Sequence, residues 1–125
     1  MREPAPLGLL APAVIVRAEG AAMAVLAILL FARRQESWWL FAALILSPDL
    51  TIPIYFVNER VGAGLYNAAH TYLFPIVLAG YGVVGDADLP IAVALIWTAH
   101  IGVDRALGFG LKYPTAFRDT HLQRL

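Results

Sequence analysis

Residues 61–84 read VGAGLYNAAHTYLFPIVLAGYGVV and contain no Asp, Glu, Lys or Arg. An α-helix of this length would extend for about 36 Å, at 1.5 Å per residue. The hydrocarbon core of a bilayer is about 30 Å thick, so such a helix could cross it. The stretch therefore predicts a membrane-spanning helix.

The sequence on either side of this stretch has the same apolar character. Of the 125 residues, 60% are hydrophobic and only 14% are charged, whereas soluble domains carry about 25% charged residues. The apolar runs are long and do not alternate with polar residues, which disfavours a β-barrel. We expect one transmembrane domain over 1–125, an all-α integral membrane four-helix up-down bundle. Its spans are predicted at about 9–32, 38–57, 61–84 and 89–110, followed by a tail at 111–125.

Two features modify this simple bundle. Ser47-Pro48-Asp49 resembles a helix start inside the second span, with a capping Ser and Pro at the first helical position. A kinked or broken second span is expected there, and the freed backbone groups need protein or water partners. In the tail, Phe117, His121 and Leu125 are spaced i, i+4, i+8 and would share one helical face. That spacing predicts a short C-terminal interfacial helix.

The charged residues sum to zero, from nine basic and nine acidic side chains, and there is no cysteine. This gives no reason to expect nucleic acid as a partner, and it excludes disulfides and cysteine-ligated metals. In an up-down bundle, one side receives seven basic residues and the other only Arg33 and Arg34. The positive-inside rule then predicts both termini in the cytoplasm, with the bilayer as partner, in a bacterial inner membrane. The seven are Arg2, Arg17, Arg60, Arg105, Lys112, Arg118 and Arg124.

Ionisable residues inside the spans are all predicted to lie in the cytoplasmic half of the membrane. Counting 1.5 Å per residue from each span end places them at depths of about 6–12 Å. Intramembrane ionisable groups are costly, so a shared layer points to a polar cavity and to function. A purely structural network that fixes helix packing remains the alternative. The candidate catalytic residues are Glu19, Asp49, His70, His100 and Asp104.

Other polar and aromatic side chains lie near this layer. Tyr66 is four residues before His70 and shares its face, and Asn67 is one position aside. We expect these residues to contact an apolar small-molecule substrate that enters from the lipid. The candidate substrate-binding residues are Tyr55, Asn58, Tyr66, Asn67 and Trp97.

Several stretches of the chain together resemble a known family. They include Ser47-Pro48-Asp49, Tyr66-Asn67 with His70, and His100 with Asp104-Arg105. The most specific is GFGLKY at 108–113, followed by Thr120-His121-Leu122. With these motifs the chain resembles the domain-of-unknown-function family 4260, small bacterial integral membrane proteins with four predicted spans. The resemblance implies the architecture and draws attention to His121, but it implies no reaction. A second, partial resemblance is to membrane-bound metal-dependent hydrolases, which carry a Thr-His-Ser motif and a Pro-Asp motif. The corresponding residues here are Ala69-His70-Thr71 and Pro48-Asp49, and they occur in the reversed order along the chain.

Three classes of function are compatible with these residues. The first is acid–base catalysis, in which Asp104 orients His100 and a desolvated carboxyl of Glu19 or Asp49 donates a proton. It suits isomerisation, cyclisation or epoxide opening of an isoprenoid, sterol-like or lipid substrate. The second is a zinc or iron site for hydrolysis or oxidation, with ligands from His70, His100, His121 and Asp104. No cofactor is required by the first class. The third is a non-enzymatic assembly or transport subunit, and a thin bundle also allows a homo-oligomer.

Overall fold

The computed structural model describes residues 8–111 and 120–124, and most of these residues are helical. A 3₁₀ turn at Gly8–Leu10 precedes six α-helices, and a second 3₁₀ segment spans Ser47–Thr51. No strand occurs within the described ranges. The α-helices are α1 Pro12–Arg33, α2 Trp38–Leu44, α3 Ile52–Tyr55, α4 Glu59–His70, α5 Leu73–Val84 and α6 Asp88–Leu107.

Among the residues that the structure describes, three helical segments are long and apolar enough to cross a membrane. They are Pro12–Arg33, Trp38–Tyr55 and Asp88–Leu107. These three segments are consistent with the membrane protein that the apolar composition predicts. The middle one is not a regular α-helix, because it changes to 3₁₀ geometry at Ser47–Thr51. This is the position at which Ser47-Pro48-Asp49 predicts a kink.

The continuous helix expected over 61–84 is not present. Helix α4 ends at His70, Thr71 is extended (φ −96°, ψ 145°), and α5 begins at Leu73. Pro75 explains the break. Proline has no backbone N–H, and its ring clashes with the carbonyl of the preceding helical turn, so it is tolerated only near a helix start. Each half has 12 residues, about 18 Å of helix, which is shorter than the hydrocarbon core.

Helices α1 and α6 pack against each other through small residues. At Gly102, an added Cβ would lie 2.5 Å from the carbonyl oxygen of Gly20 and 2.9 Å from the Cβ of Ala24. Glycine at these positions therefore allows the two backbones to approach closely. At the far end of this pair, Phe31 and Ile96 form a small buried core. We call the contact of Gly20 and Ala24 with Gly102 the α1–α6 seam.

The chain returns to α6 after its C-terminal end. Gly108, with φ +97°, ends the helix in the left-handed conformation that glycine adopts at low cost. The backbone N–H of His121 then donates to the carbonyl of Leu111 at 2.8 Å. Residues 121–124 form turns, and the predicted interfacial helix involves Phe117 and Leu125, which lie outside the described residues.

Candidate metal centre

Four side chains meet where the two broken helical segments face α6. Asp49 comes from the 3₁₀ segment, His70 from the end of α4, and His100 and Asp104 from one face of α6. One ligand atom from each residue lies within 4.8 Å of all the others. We call Asp49, His70, His100 and Asp104 the four-residue cluster.

The distances inside the cluster are those of direct polar contacts. Each histidine Nε2 faces both carboxylates: Asp49 Oδ1 is 3.0 Å from His70 and 3.1 Å from His100. Asp104 Oδ2 is 3.4 Å from His70 and 3.2 Å from His100. The two Nε2 atoms are themselves 3.2 Å apart. Two nitrogens and two carboxylate oxygens thus converge on one point.

The other nitrogen of each imidazole is already committed. Nδ1 of His70 lies 2.8 Å from the carbonyl oxygen of Tyr66, and Nδ1 of His100 lies 2.6 Å from that of Ile45. A carbonyl oxygen only accepts, so both Nδ1 atoms carry the hydrogen. In the neutral imidazole, Nε2 then presents a lone pair. Both lone pairs point at the carboxylates and at each other, an arrangement that is repulsive unless a cation or a proton lies between them.

The broken helices make these carbonyls available. In a regular helix the Ile45 carbonyl would accept from residue 49, but the Asp49 N–H donates to Leu46 instead. Pro48 has no N–H to offer. His100 therefore provides the missing donor for Ile45. Since unsatisfied backbone groups cost several kcal/mol at membrane depth, helix breaks there need such partners.

The C-terminal end of α4 is satisfied in the same way, again from α6. Trp97 Nε1–H donates to the Ala69 carbonyl, and Arg105 Nη2 donates to the His70 carbonyl at 3.2 Å. Arg105 is itself buried, so its guanidinium reaches this cluster residue from within the protein.

The cluster is enclosed on its imidazole side and more open on its carboxylate side. The His70 and His100 side chains are 4% and 5% exposed, whereas those of Asp104 and Asp49 are 19% and 35% exposed. The Tyr66 ring stacks on the His70 imidazole, with centroids 3.7 Å apart. Access for a small molecule is therefore from the Asp49 side.

The donor set and its dimensions fit a divalent metal ion. A tetrahedral zinc ion with bonds of about 2.0–2.1 Å has ligand atoms about 3.3 Å apart. The five nitrogen–oxygen and nitrogen–nitrogen separations are 3.0–3.4 Å. The two carboxylates would neutralise the charge of a divalent ion, and the Nδ1–H···O=C bonds orient both imidazoles, as is usual for metal-bound histidine. Such a nitrogen and oxygen set suits zinc or non-haem iron.

Two candidate residues lie elsewhere. Glu19 is exposed on α1, outside the four-residue cluster. His121 is also outside it, with Nδ1 accepting from the Leu111 N–H and Nε2 2.7 Å from Arg105 Nη1. Burial, and next the Arg105 guanidinium, lower the pKa of His121. Its role in the structure is to attach the chain end to α6.

The predicted substrate-binding residues are spread around the cluster. Tyr66 and Trp97 border it, as described above. Tyr55 is buried where α3 meets α4, and Asn67 is partly buried on α4. Asn58 is the N-cap of α4, and its Oδ1 accepts from the N–H groups of Arg60 and Val61. The placement of Asn58 is thus accounted for by helix capping.

An apolar cavity of about 280 Å³ adjoins the cluster. Pro48 and Ala69 line one side, each directly before a cluster residue in the chain. Val93, Ile96 and Trp97 line the other side, on the face of α6 that also carries His100. The cavity therefore begins within about one helical turn of the cluster.

Comparison with known proteins places the chain by family. No curated protein and no solved structure matches it. A family model described as "Domain of unknown function (DUF4260)" matches residues 13–125, nearly the whole length and all four residues of the cluster. The chain therefore belongs to the DUF4260 family.

Proposed function

We propose that this protein is a metal-dependent membrane enzyme whose four-residue cluster binds one divalent ion, with zinc the best fit. One observation carries the proposal: both Nδ1 atoms are committed to carbonyls, so two Nε2 lone pairs and two carboxylates converge on a point. Without a cation this arrangement is electrostatically costly in a low-dielectric setting. With one, every ligand atom has a partner.

The reaction class that this site suits is hydrolysis of an ester or phosphoester. His70, His100 and Asp104 would hold the ion, which would activate a water molecule and polarise the substrate oxygen. Three protein ligands leave a position for that water, so Asp49, the most exposed carboxylate of the cluster, would act during the reaction as a base and not as a ligand. It would accept a proton from the attacking water as the water oxygen bonds to the carbonyl carbon or phosphorus. The bond to the leaving oxygen would break, and Asp49 would return the proton to that oxygen.

The proposed setting is a bacterial inner membrane with both termini in the cytoplasm. Seven basic residues against two support this orientation. In this proposal the chain crosses the membrane four times, with the second and third crossings discontinuous at the cluster, and the site lies in the cytoplasmic half. Discontinuous helices at membrane depth are tolerated where they line a cavity or are buried in protein, as beside the cluster. A homo-oligomer is compatible with so thin a bundle.

A second candidate is acid–base catalysis without an ion. The observation that favours it is the His100–Asp104 pair, four residues apart on α6, with Nε2 3.2 Å from Oδ2. A protonated or proton-sharing histidine pair would relieve the lone-pair repulsion without a metal. Isomerisation, cyclisation or epoxide opening of an isoprenoid, sterol-like or lipid substrate would then be the reaction type.

Metal analysis tests the proposal and separates the two candidates. Protein purified in mild detergent without a histidine tag should contain one equivalent of zinc or iron. Asp104→Asn should lose the ion, whereas Glu19→Gln, an isosteric change at a carboxylate outside the cluster, should retain it. Chelation should abolish release of hydrolysis products from membrane lipids, followed by mass spectrometry. Folded wild-type protein with no stoichiometric metal would refute the metal site and leave the acid–base candidate.

A further inference from the structure

The apolar cavity beside the cluster has a defined direction. Val93, Ile96, Trp97 and His100 lie at i, i+3, i+4 and i+7, so they line one face of α6. From Trp97 to Val93 the cavity wall runs four residues toward the N-terminal end of α6, about 6 Å along the helix axis. The cavity therefore extends from the middle of α6 away from the cluster and from the C-terminal end of the helix.

The polar groups that line the cavity are used internally. Ser47 Oγ donates to the Leu44 carbonyl at 2.7 Å, and Thr51 Oγ1 donates to the Pro48 carbonyl at 3.1 Å. Trp97 Nε1–H donates to Ala69. Every side-chain donor lining the described cavity is therefore used within the protein, and the Ser47 and Thr51 hydroxyl oxygens retain only acceptor capacity. Its occupant is thus expected to be a hydrocarbon.

We infer that this cavity holds the hydrocarbon chain of a linear amphiphile, such as a fatty acyl compound, whose oxygen-bearing head reaches the four-residue cluster. Three segments each supply both a residue that lines the cavity and a residue of the cluster. They are Pro48–Asp49, Ala69–His70 and the face of α6 that includes Trp97 and His100. A molecule that occupies both must be apolar at one end and polar at the other.

The assignment of the head depends on the proposed metal site, but the assignment of the chain does not. A binding experiment can therefore test them separately. Trp38→Phe and Trp39→Phe would leave Trp97 as the sole tryptophan of the three in the chain. The protein is reconstituted in nanodiscs of unbrominated phosphatidylcholine and titrated with hexadecanoic acid brominated at mid-chain. Brominated phosphatidylcholine serves as the control for quenching by bulk lipid.

We expect saturable quenching of Trp97 by the brominated acid, at one molecule per protein. Val93→Phe fills the cavity at the end far from the cluster. It should raise the concentration of brominated acid at half-saturation by at least about tenfold, or 1.4 kcal/mol. Val77→Phe, the same substitution at a 69% exposed position on α5, should leave it unchanged. Zinc-loaded protein should bind the acid at least about tenfold more tightly than chelated protein, while a brominated alkane should show no such difference.

Each outcome bears on a different part of the inference. Unsaturable quenching, or saturation unaffected by Val93→Phe in protein that retains its zinc, would refute the chain cavity and leave the metal site standing. Saturable, Val93-sensitive quenching in protein that binds no zinc would refute the metal site and the assignment of the head, and would leave the chain cavity standing. Retention of zinc by Val93→Phe shows that this variant is folded.

Discussion

Helix α6 contacts the rest of the protein through two faces of opposite chemistry. At the α1–α6 seam, Gly102 meets Gly20 and Ala24, and small apolar groups pack without hydrogen bonds between side chains. On the other side, His100 and Trp97 donate to backbone carbonyls left free by helix breaks. The seam joins two continuous helices, whereas the cluster joins α6 to two helical segments that are interrupted. At the ends of the same helix pair, Arg17 Nε donates to the Ala106 carbonyl and Arg34 pairs with Asp88. Packing thus joins α1 and α6 along the seam, while these polar side chains act where helical hydrogen bonding ends or is interrupted.

The largest expected effect comes from His100→Ala, which removes a ligand and the partner of the Ile45 carbonyl together. An unsatisfied buried carbonyl costs about 1–3 kcal/mol, and loss of an ion present at 100 times its dissociation constant costs about 2.7 kcal/mol more. Hydrogen exchange should accelerate at Ser47–Thr51 and at the end of α4, whereas α1 stays protected. Thr98→Ala on the same helix is the control. Equal loss of protection in α1 would show that the two faces are not independent.

The seam is tested by one substitution made at two glycines. Gly102→Ala places a Cβ 2.5 Å from a backbone oxygen and should destabilise the protein by about 1–3 kcal/mol through overpacking. Gly64→Ala meets nothing within 4 Å on α4 and should stabilise it by about 0.5–1 kcal/mol, because alanine is the better helix former. The measurement is thermal unfolding in detergent, with metal content followed in the same samples. Effects of the same sign would contradict the close backbone approach at Gly102.

Helical rise alone predicts a shared depth for five ionisable residues, and the structure brings four of them together: Asp49, His70, His100 and Asp104. Their catalytic role stays a prediction. Depth carries no information about rotation about the helix axis, so it cannot separate these four from Glu19, which is exposed on α1.

The helix break at Thr71 shows a second limit of the sequence. The apolar composition of residues 61–84 indicates that they favour lipid, but it does not show whether their backbone hydrogen bonds form one unbroken helix. The signal that was available was Pro75, which requires a helix start close before it. His121 shows a third limit, because helical spacing in the tail could not indicate that its imidazole binds near Arg105 and not at the cluster.

Trp97→Phe tests how far the caps on α4 support the cluster. The variant keeps a phenyl ring in the cavity wall and removes the five-membered part of the indole, with the Nε1–H that donates to the Ala69 carbonyl. We expect about 1 kcal/mol of destabilisation and a weakening of zinc affinity by up to about tenfold, as for second-layer partners of metal ligands. Competition with a fluorescent chelator measures the affinity. Trp39→Phe, at a side chain 85% exposed, is the matched control. An unchanged affinity would mean that the cluster does not depend on the end of α4.

The smallest expected effect is a pH dependence of the chain end. Both ring nitrogens of His121 face N–H donors, from Leu111 and Arg105, and burial with the nearby guanidinium lowers its pKa from the ordinary 6.5. The docked state thus disfavours the protonated imidazole, and the undocked state binds more protons. Docking is therefore complete above pH 6.5 and weakens as the pH falls below that value. Hydrogen exchange at residues 120–124 should increase over this range, and His121→Gln should remove the dependence. Because Arg105 also binds the His70 carbonyl, retention of the ion while the chain end is released would show that the cluster does not depend on this contact.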